Sequence, residues 1–139
     1  MDAVTRQVVW NRARHRCEYC LIRQDDEPFY RFHVEHIVAK QHRGREDVSN
    51  LALSCHHDNA HKGPNLSGID PKSGKVVRLF NPRRQSWARH FRYRGPVLVG
   101  RTACGRATVA VLAVNAPDRI ELRAELIADG LFPAASSSR

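Results

Sequence analysis

Apolar residues in the first stretch of the chain fall at Val4, Val8, Val9 and Ala13, a weak helical stripe over 4–15. Arg6, Arg12, Arg14 and Arg16 make its other faces basic. A polar run at 24–28 reads as a loop. The aromatic and β-branched stretch 29–38 alternates roughly and predicts a strand that carries Glu35 and His36. Polar residues return at 41–47 around Gly44, as expected of a loop between antiparallel strands, and Leu51-Ala52-Leu53 opens the returning strand. From Cys55 the alternation stops. A short helix ending at Gly63 is predicted there, because glycine favours the position after a helix C-terminus.

Past this unit, Asp70-Pro71-Lys72-Ser73-Gly74 has turn chemistry and precedes a short strand at 76–80. Asn81-Pro82 reads as N-cap and first turn of a helix, with Trp87 and Phe91 on one face at i, i+4 and Arg83, Arg84, Arg89 and Arg92 on the others. Val97 to Val99 fits a further short strand. The pattern over 107–114 is compatible with strand or helix. Ile120, Ala124 and Ile127 predict a helix over 118–129, closed by Gly130. The Ser- and Ala-rich end, 133–139, is expected to be frayed.

At 139 residues the chain suits one domain, with a modest core that would profit from a structural metal. A formal charge of +9, carried mostly by arginine, favours a polyanionic partner. Arginine also grips phosphate through two parallel hydrogen bonds where lysine acts as a point charge. No segment approaches the roughly 18 apolar residues of a membrane span, and no signal-peptide apolar region opens the chain. The expectation is a cytoplasmic protein with reduced thiols, in which a Cys-x-x-Cys pair means metal or redox chemistry.

Cys17 and Cys20, two residues apart, form half of a tetrahedral thiolate site, and Cys55 is the evident third ligand. No thioredoxin-like βαβ pattern surrounds the pair, which favours metal over redox. Cys104 stands in no ligand spacing and reads as a small core residue. Between the cysteines lie Val34-Glu35-His36-Ile37 and Asn50-Leu51; Cys55 then leads into Asn59 and His61-Lys62-Gly63. In this order the set resembles the HNH endonuclease family. The likeness continues through Gly63-Pro64-Asn65, Gly68-Ile69-Asp70-Pro71 and Leu79-Phe80-Asn81-Pro82-Arg83, with Trp87, His90 and Phe91, as in a bacterial subgroup of small HNH proteins.

The resemblance implies an α+β fold: a ββα-metal core with a Cys-based zinc site, flanked by additional helices and a short hairpin. It implies a single domain over 1–133, with the motif core at 17–63, a C-terminal extension at 64–133 and a disordered tail at 134–139. The family's second zinc half-site is usually Cys-x-x-Cys followed by Asn. Here Asp58 takes the second cysteine's place, so the fourth zinc ligand is Asp58 or His57, beside His56.

Carried over residue by residue, Glu35 binds a divalent ion and His36 is the general base, with Asn50 bonding backbone across the loop to hold that base. Asn59 is the second ion ligand, replaced or assisted by His61, and Lys62 is a candidate phosphate contact. His33, on the same strand face as Glu35, is a ligand, a partner to one or part of the wall. An oxygen-rich ion site suggests magnesium or manganese. Arg83, Arg84, Arg89 and Arg92 are candidate phosphate contacts outside the site.

The leading expectation is therefore a metal-dependent endonuclease acting on DNA, with RNA not excluded. The alternative is a zinc-stabilised nucleic-acid-binding module without catalysis. Oligomeric state, recognition sequence and biological setting are not legible.

Overall fold

The computed structural model describes residues 1–133; the stretch 134–139, expected to be disordered, lies outside the described residues. Helix α1 (Ala3–Arg12) is capped by the Asp2 carboxylate, which accepts from Thr5 N at 2.7 Å. Its inner face buries Val9 and Trp10 against the hairpin of β1 (His33–His36) and β2 (Leu51–Ser54). At its C-terminal end Arg12 donates to the carbonyls of Val48 and Leu51, at 3.0 and 2.6 Å, fixing the helix to the start of β2. The register pairs Glu35 with Ala52 and His36 with Leu51. All of β2 is buried. Helix α2 (His56–Lys62) follows at once and packs on β1, completing the ββα core.

The predicted strand over 29–38 is thus only four residues long. Phe29 and Tyr30 stay exposed, and pairing begins where β2 offers a partner. A second hairpin, β3 (Ser67–Ile69) with β4 (Val76–Arg78), is closed by the expected turn, where Asp70 accepts from Lys72 N at 3.0 Å and Ser73 Oγ at 2.7 Å.

The long helix expected from Asn81 does not form. Asn81 caps a turn instead, accepting from Arg83 N at 2.8 Å, and only α3 (Trp87–His90) is helical. The reason is tertiary: Phe91 is buried and opens β5 (Phe91–Arg94), which pairs with β6 (Val97–Gly100). Trp87 and Phe91 still meet, with ring centroids 5.3 Å apart, but as helix against strand.

The ambiguous segment resolves as helix α4 (Ala103–Val111). Thr102 caps it by accepting from Gly105 N at 3.0 Å, and Gly105 lets it approach the end of α3, since a Cβ there would stand 2.1 Å from the His90 carbonyl oxygen. Helix α5 (Pro117–Ala128) closes the described chain. Buried side chains from α1, β2, β5, β6 and α5 share one core, with partly buried residues of β1 and α4 packed against it. No helix among the described residues is long and apolar enough to cross a membrane.

Candidate metal centre and catalytic cleft

The segment after α1 folds into a knuckle. Arg14, His15 and Leu21 take left-handed conformations, and Leu21 N bonds the Cys17 carbonyl at 2.9 Å, so Cys17 and Cys20 turn inward together. Cys55 sits at the N-cap of α2, its sulfur accepting from Asp58 N at 3.4 Å, and Asp58 lies one turn into the helix. Ligand atoms of Cys17, Cys20, Cys55 and Asp58 all lie within 4.8 Å of one another, and all four residues are buried.

The Cys20 and Cys55 sulfurs are 3.9 Å apart, and Cys17 Sγ is 3.2 Å from Asp58 Oδ2. A zinc–sulfur bond of about 2.3 Å gives a tetrahedral S···S edge of about 3.8 Å, so the cluster has the dimensions of a zinc site. Burial pushes the Asp58 carboxyl and the Cys17 thiol well up from their ordinary range. Four such groups can ionise together in one buried space only around a cation. The fourth position therefore belongs to Asp58. His57 is turned away, its Nε2 2.7 Å from the Ala113 carbonyl oxygen.

Strand alternation sends the two residues of the Glu-His pair to opposite sides. Glu35 points inward. Its carboxylate accepts from the Tyr19 hydroxyl and from Lys62 Nζ at 3.1 Å, and Lys62 also donates to the Ile37 carbonyl at 3.0 Å. The Glu35 and Lys62 side chains are 5% and 2% exposed, so neither presents its charge to solvent. Burial raises the Glu35 carboxyl, opposed by the Lys62 ammonium and the Tyr19 hydrogen bond. Lys62, expected to contact phosphate, is drawn into the core here, where its ammonium holds α2 to β1.

His36 points outward into an open cleft of about 300 Å³, lined with it by Glu35, Ala39, Lys40, Asn59, Gly63 and Pro64. Its Nε2 lies 3.1 Å from Glu46 Oε2, and the same oxygen accepts from Lys40 Nζ at 3.0 Å. Asn50 sits behind, its side chain buried between two stretches of loop. Its Oδ1 accepts from Val38 N at 2.9 Å, and its Nδ2 donates to Val38 O at 2.9 Å and Arg45 O at 2.8 Å. The main chain of Asn50 adds a bond from Ile37 N at 2.8 Å. Every bond closes the loop that carries His36 and Glu46.

His61 stands apart from this cleft, with Nδ1 2.8 Å from the His57 carbonyl oxygen and its ring against His57. His33 is also outside it, 3.0 Å from the His56 ring, which stacks on Tyr30. Arg83 is drawn into a half-buried ion pair with Glu18, where desolvation lowers its pKa to about 10. Arg84, Arg89 and Arg92 remain exposed. The residues missed in the sequence are Tyr19, which belongs to the Cys-Glu-Tyr-Cys knuckle and caps Glu35, and Glu46. No spacing rule marks Glu46; only the folded loop brings it to His36.

Residues 17–65 match the HNH endonuclease family model, which spans the knuckle, both strands and α2. These residues form an HNH domain. The chain is also 31% identical over 110 residues to the Septu protein PtuB of Bacillus thuringiensis. That likeness covers 78% of this chain and 40% of PtuB, so the HNH chain spans well under half of its curated relative. No solved structure matches it. The zinc-type cluster and the ββα core lie within the matched residues, which makes this a metal-binding, nuclease-like module of the HNH type.

Proposed function

We propose that this HNH protein is a metal-dependent endonuclease that hydrolyses DNA phosphodiester bonds, with residues 1–133 acting as one domain. The observation that carries the reading is the placement of His36: an imidazole paired with Glu46 at the rim of an open cleft, across from Asn59. Imidazole titrates near neutrality and suits a general base. His36 takes a proton from a water molecule as the water oxygen bonds to phosphorus and the bond to the leaving sugar oxygen breaks. The leaving oxygen gains its proton from solvent in the open cleft. Glu46 orients the imidazole, while Asn50 holds the loop on which both are mounted.

A divalent ion such as magnesium or manganese, when bound, neutralises charge on the phosphoryl oxygens. Hard ions of this kind need few protein ligands and keep several waters. Asn59 lines the cleft and Glu46 stands beside it at His36, and both are available for that purpose. We assign Glu35, whose carboxylate is committed to Lys62 and Tyr19, to holding the core together rather than to the ion.

The test is cleavage of supercoiled plasmid by purified protein with magnesium or manganese, beside an EDTA control, His36→Ala and an RNA substrate. Metal-dependent nicking that disappears in His36→Ala is the expected result. Intact plasmid from folded, zinc-loaded protein would favour the second reading, a nucleic-acid-binding module without catalysis. One observation supports that alternative: of the two residues expected to share the ion, both of which line the cleft, Glu35 has its carboxylate held by Lys62 and Tyr19.

A further inference from the structure

Three arginines from separate segments converge beside the catalytic loop. Arg43 lies on the loop between β1 and β2, Arg78 at the end of β4 and Arg84 in the turn after it. With Arg45 and Asn81 they line a concavity of about 250 Å³ whose floor is Val38, Gly44 and Asn50. Arg45 is balanced by Asp47 at 2.6 Å. Among the described residues the side chains of Arg43, Arg78 and Arg84 have no acidic partner, and all three are exposed. Converging guanidinium groups without a counter-charge repel one another, and a phosphate offers each the planar, two-oxygen partner it prefers.

The floor of the concavity is also the back of the catalytic loop. Gly44 lies so close to Val38 that a Cβ would stand 1.7 Å from its carbonyl oxygen and 2.9 Å from Asn50 Nδ2. Asn50 ties Val38 to Arg45 through the hydrogen bonds that close the loop. Val38 follows His36 by two residues, and the chain spans at most about 7 Å over that distance. The arginine site is therefore a fixed neighbour of the imidazole.

We propose that Arg43, Arg78 and Arg84 form a phosphate-binding site for the DNA backbone, holding a phosphate close along the strand to the one presented to His36. This rests on the endonuclease reading for the role of His36, but the binding site itself can be tested without cleavage. Such a contact positions the duplex without reading its sequence.

The experiment measures binding of a labelled DNA duplex by anisotropy in EDTA across a range of salt concentrations. It compares wild type, the triple variant R43Q/R78Q/R84Q and the charge-matched control K72Q/K75Q/R94Q, whose changes lie outside the concavity. The triple variant is expected to bind at least tenfold more weakly at physiological salt, with its salt slope reduced by about 2 to 3 and its melting temperature unchanged. The control should lose much less.

Equal losses in both variants, or wild-type protein that does not bind the duplex, would overturn the proposal. So would wild-type protein that binds inorganic phosphate at these arginines by NMR titration but binds no DNA, which would make the source a free phosphate. Plasmid cleavage run in parallel separates the two readings. Arginine-dependent binding without cleavage by wild type refutes the endonuclease and keeps the site. Cleavage undiminished in the triple variant across the salt range refutes the site and keeps the endonuclease.

Discussion

The Glu35–Lys62 pair decides how the HNH motif is read at the scale of single residues. Both side chains are almost wholly buried and each satisfies the other. Removing one partner from a buried pair strands the other charge, typically at about 3–5 kcal/mol. Lys62→Met should therefore lower the melting temperature sharply, and adding Glu35→Gln should restore much of it, because a neutral amide can still meet the Tyr19 hydroxyl. If Glu35 serves the core, the restored double variant keeps manganese-dependent nicking. A double variant with near-native melting temperature and no nicking at high manganese would return Glu35 to the ion. Glu46 gives a second test at this scale. Glu46→Gln should cut the cleavage rate by about 10- to 100-fold with no change in melting temperature, since its exposed carboxylate pairs with His36 and Lys40 at the surface. An unchanged rate would remove Glu46 from the mechanism.

Among the elements, the β1–β2 hairpin and α2 were legible in the sequence because local pattern and tertiary pairing agree there. Gly63, with φ 50°, ends α2 where a glycine after the helix C-terminus was expected. The miss at 81–92 has the opposite cause. Asn81-Pro82 and the Trp87–Phe91 spacing are real helix signals, but burying Phe91 in a strand outweighs them. The convergence of Asp70 and Arg106 was likewise invisible, since 36 positions separate them. Arg106 grips Asp70 through two bonds, 2.8 and 2.9 Å, tying the β3–β4 turn to α4. That pairing holds the Asp70 carboxyl well below the usual range. A carboxylate depressed on folding adds stability at neutral pH, and the contribution is lost as pH falls through and below the ordinary carboxylate range. Asp70→Asn should accordingly melt lower than wild type at pH 7, and the gap should narrow steadily on acidification. A gap that stays constant down to the acid transition would show that the ion pair contributes no such pH-dependent stability.

For the molecule as a whole, the Cys17, Cys20, Cys55 and Asp58 cluster is the junction where the knuckle after α1, the end of β2 and the start of α2 meet, with Arg119 of α5 also 3.9 Å from the Cys55 sulfur. A metal at this point joins segments about 40 residues apart, so its binding energy is folding energy. It also sets where α2 begins, and α2 carries both Asn59 to the cleft and Lys62 to Glu35. Loss of zinc should thus disturb the fold before the chemistry. One zinc per chain is expected by elemental analysis, and Cys20→Ala should lose it together with a large drop in melting temperature. Asp58→Cys should keep it, because a fourth thiolate at the same helical position completes a Cys₄ set of the kind zinc accepts. Asp58→Ala should fall between them, binding zinc through three thiolates and a water. Cys20→Ala protein that melts like wild type and contains no less zinc would refute the assignment. Asp58→Cys protein that retains zinc, stability and nicking would show that the aspartate matters to the fold as a ligand and has no separate role in the cleft.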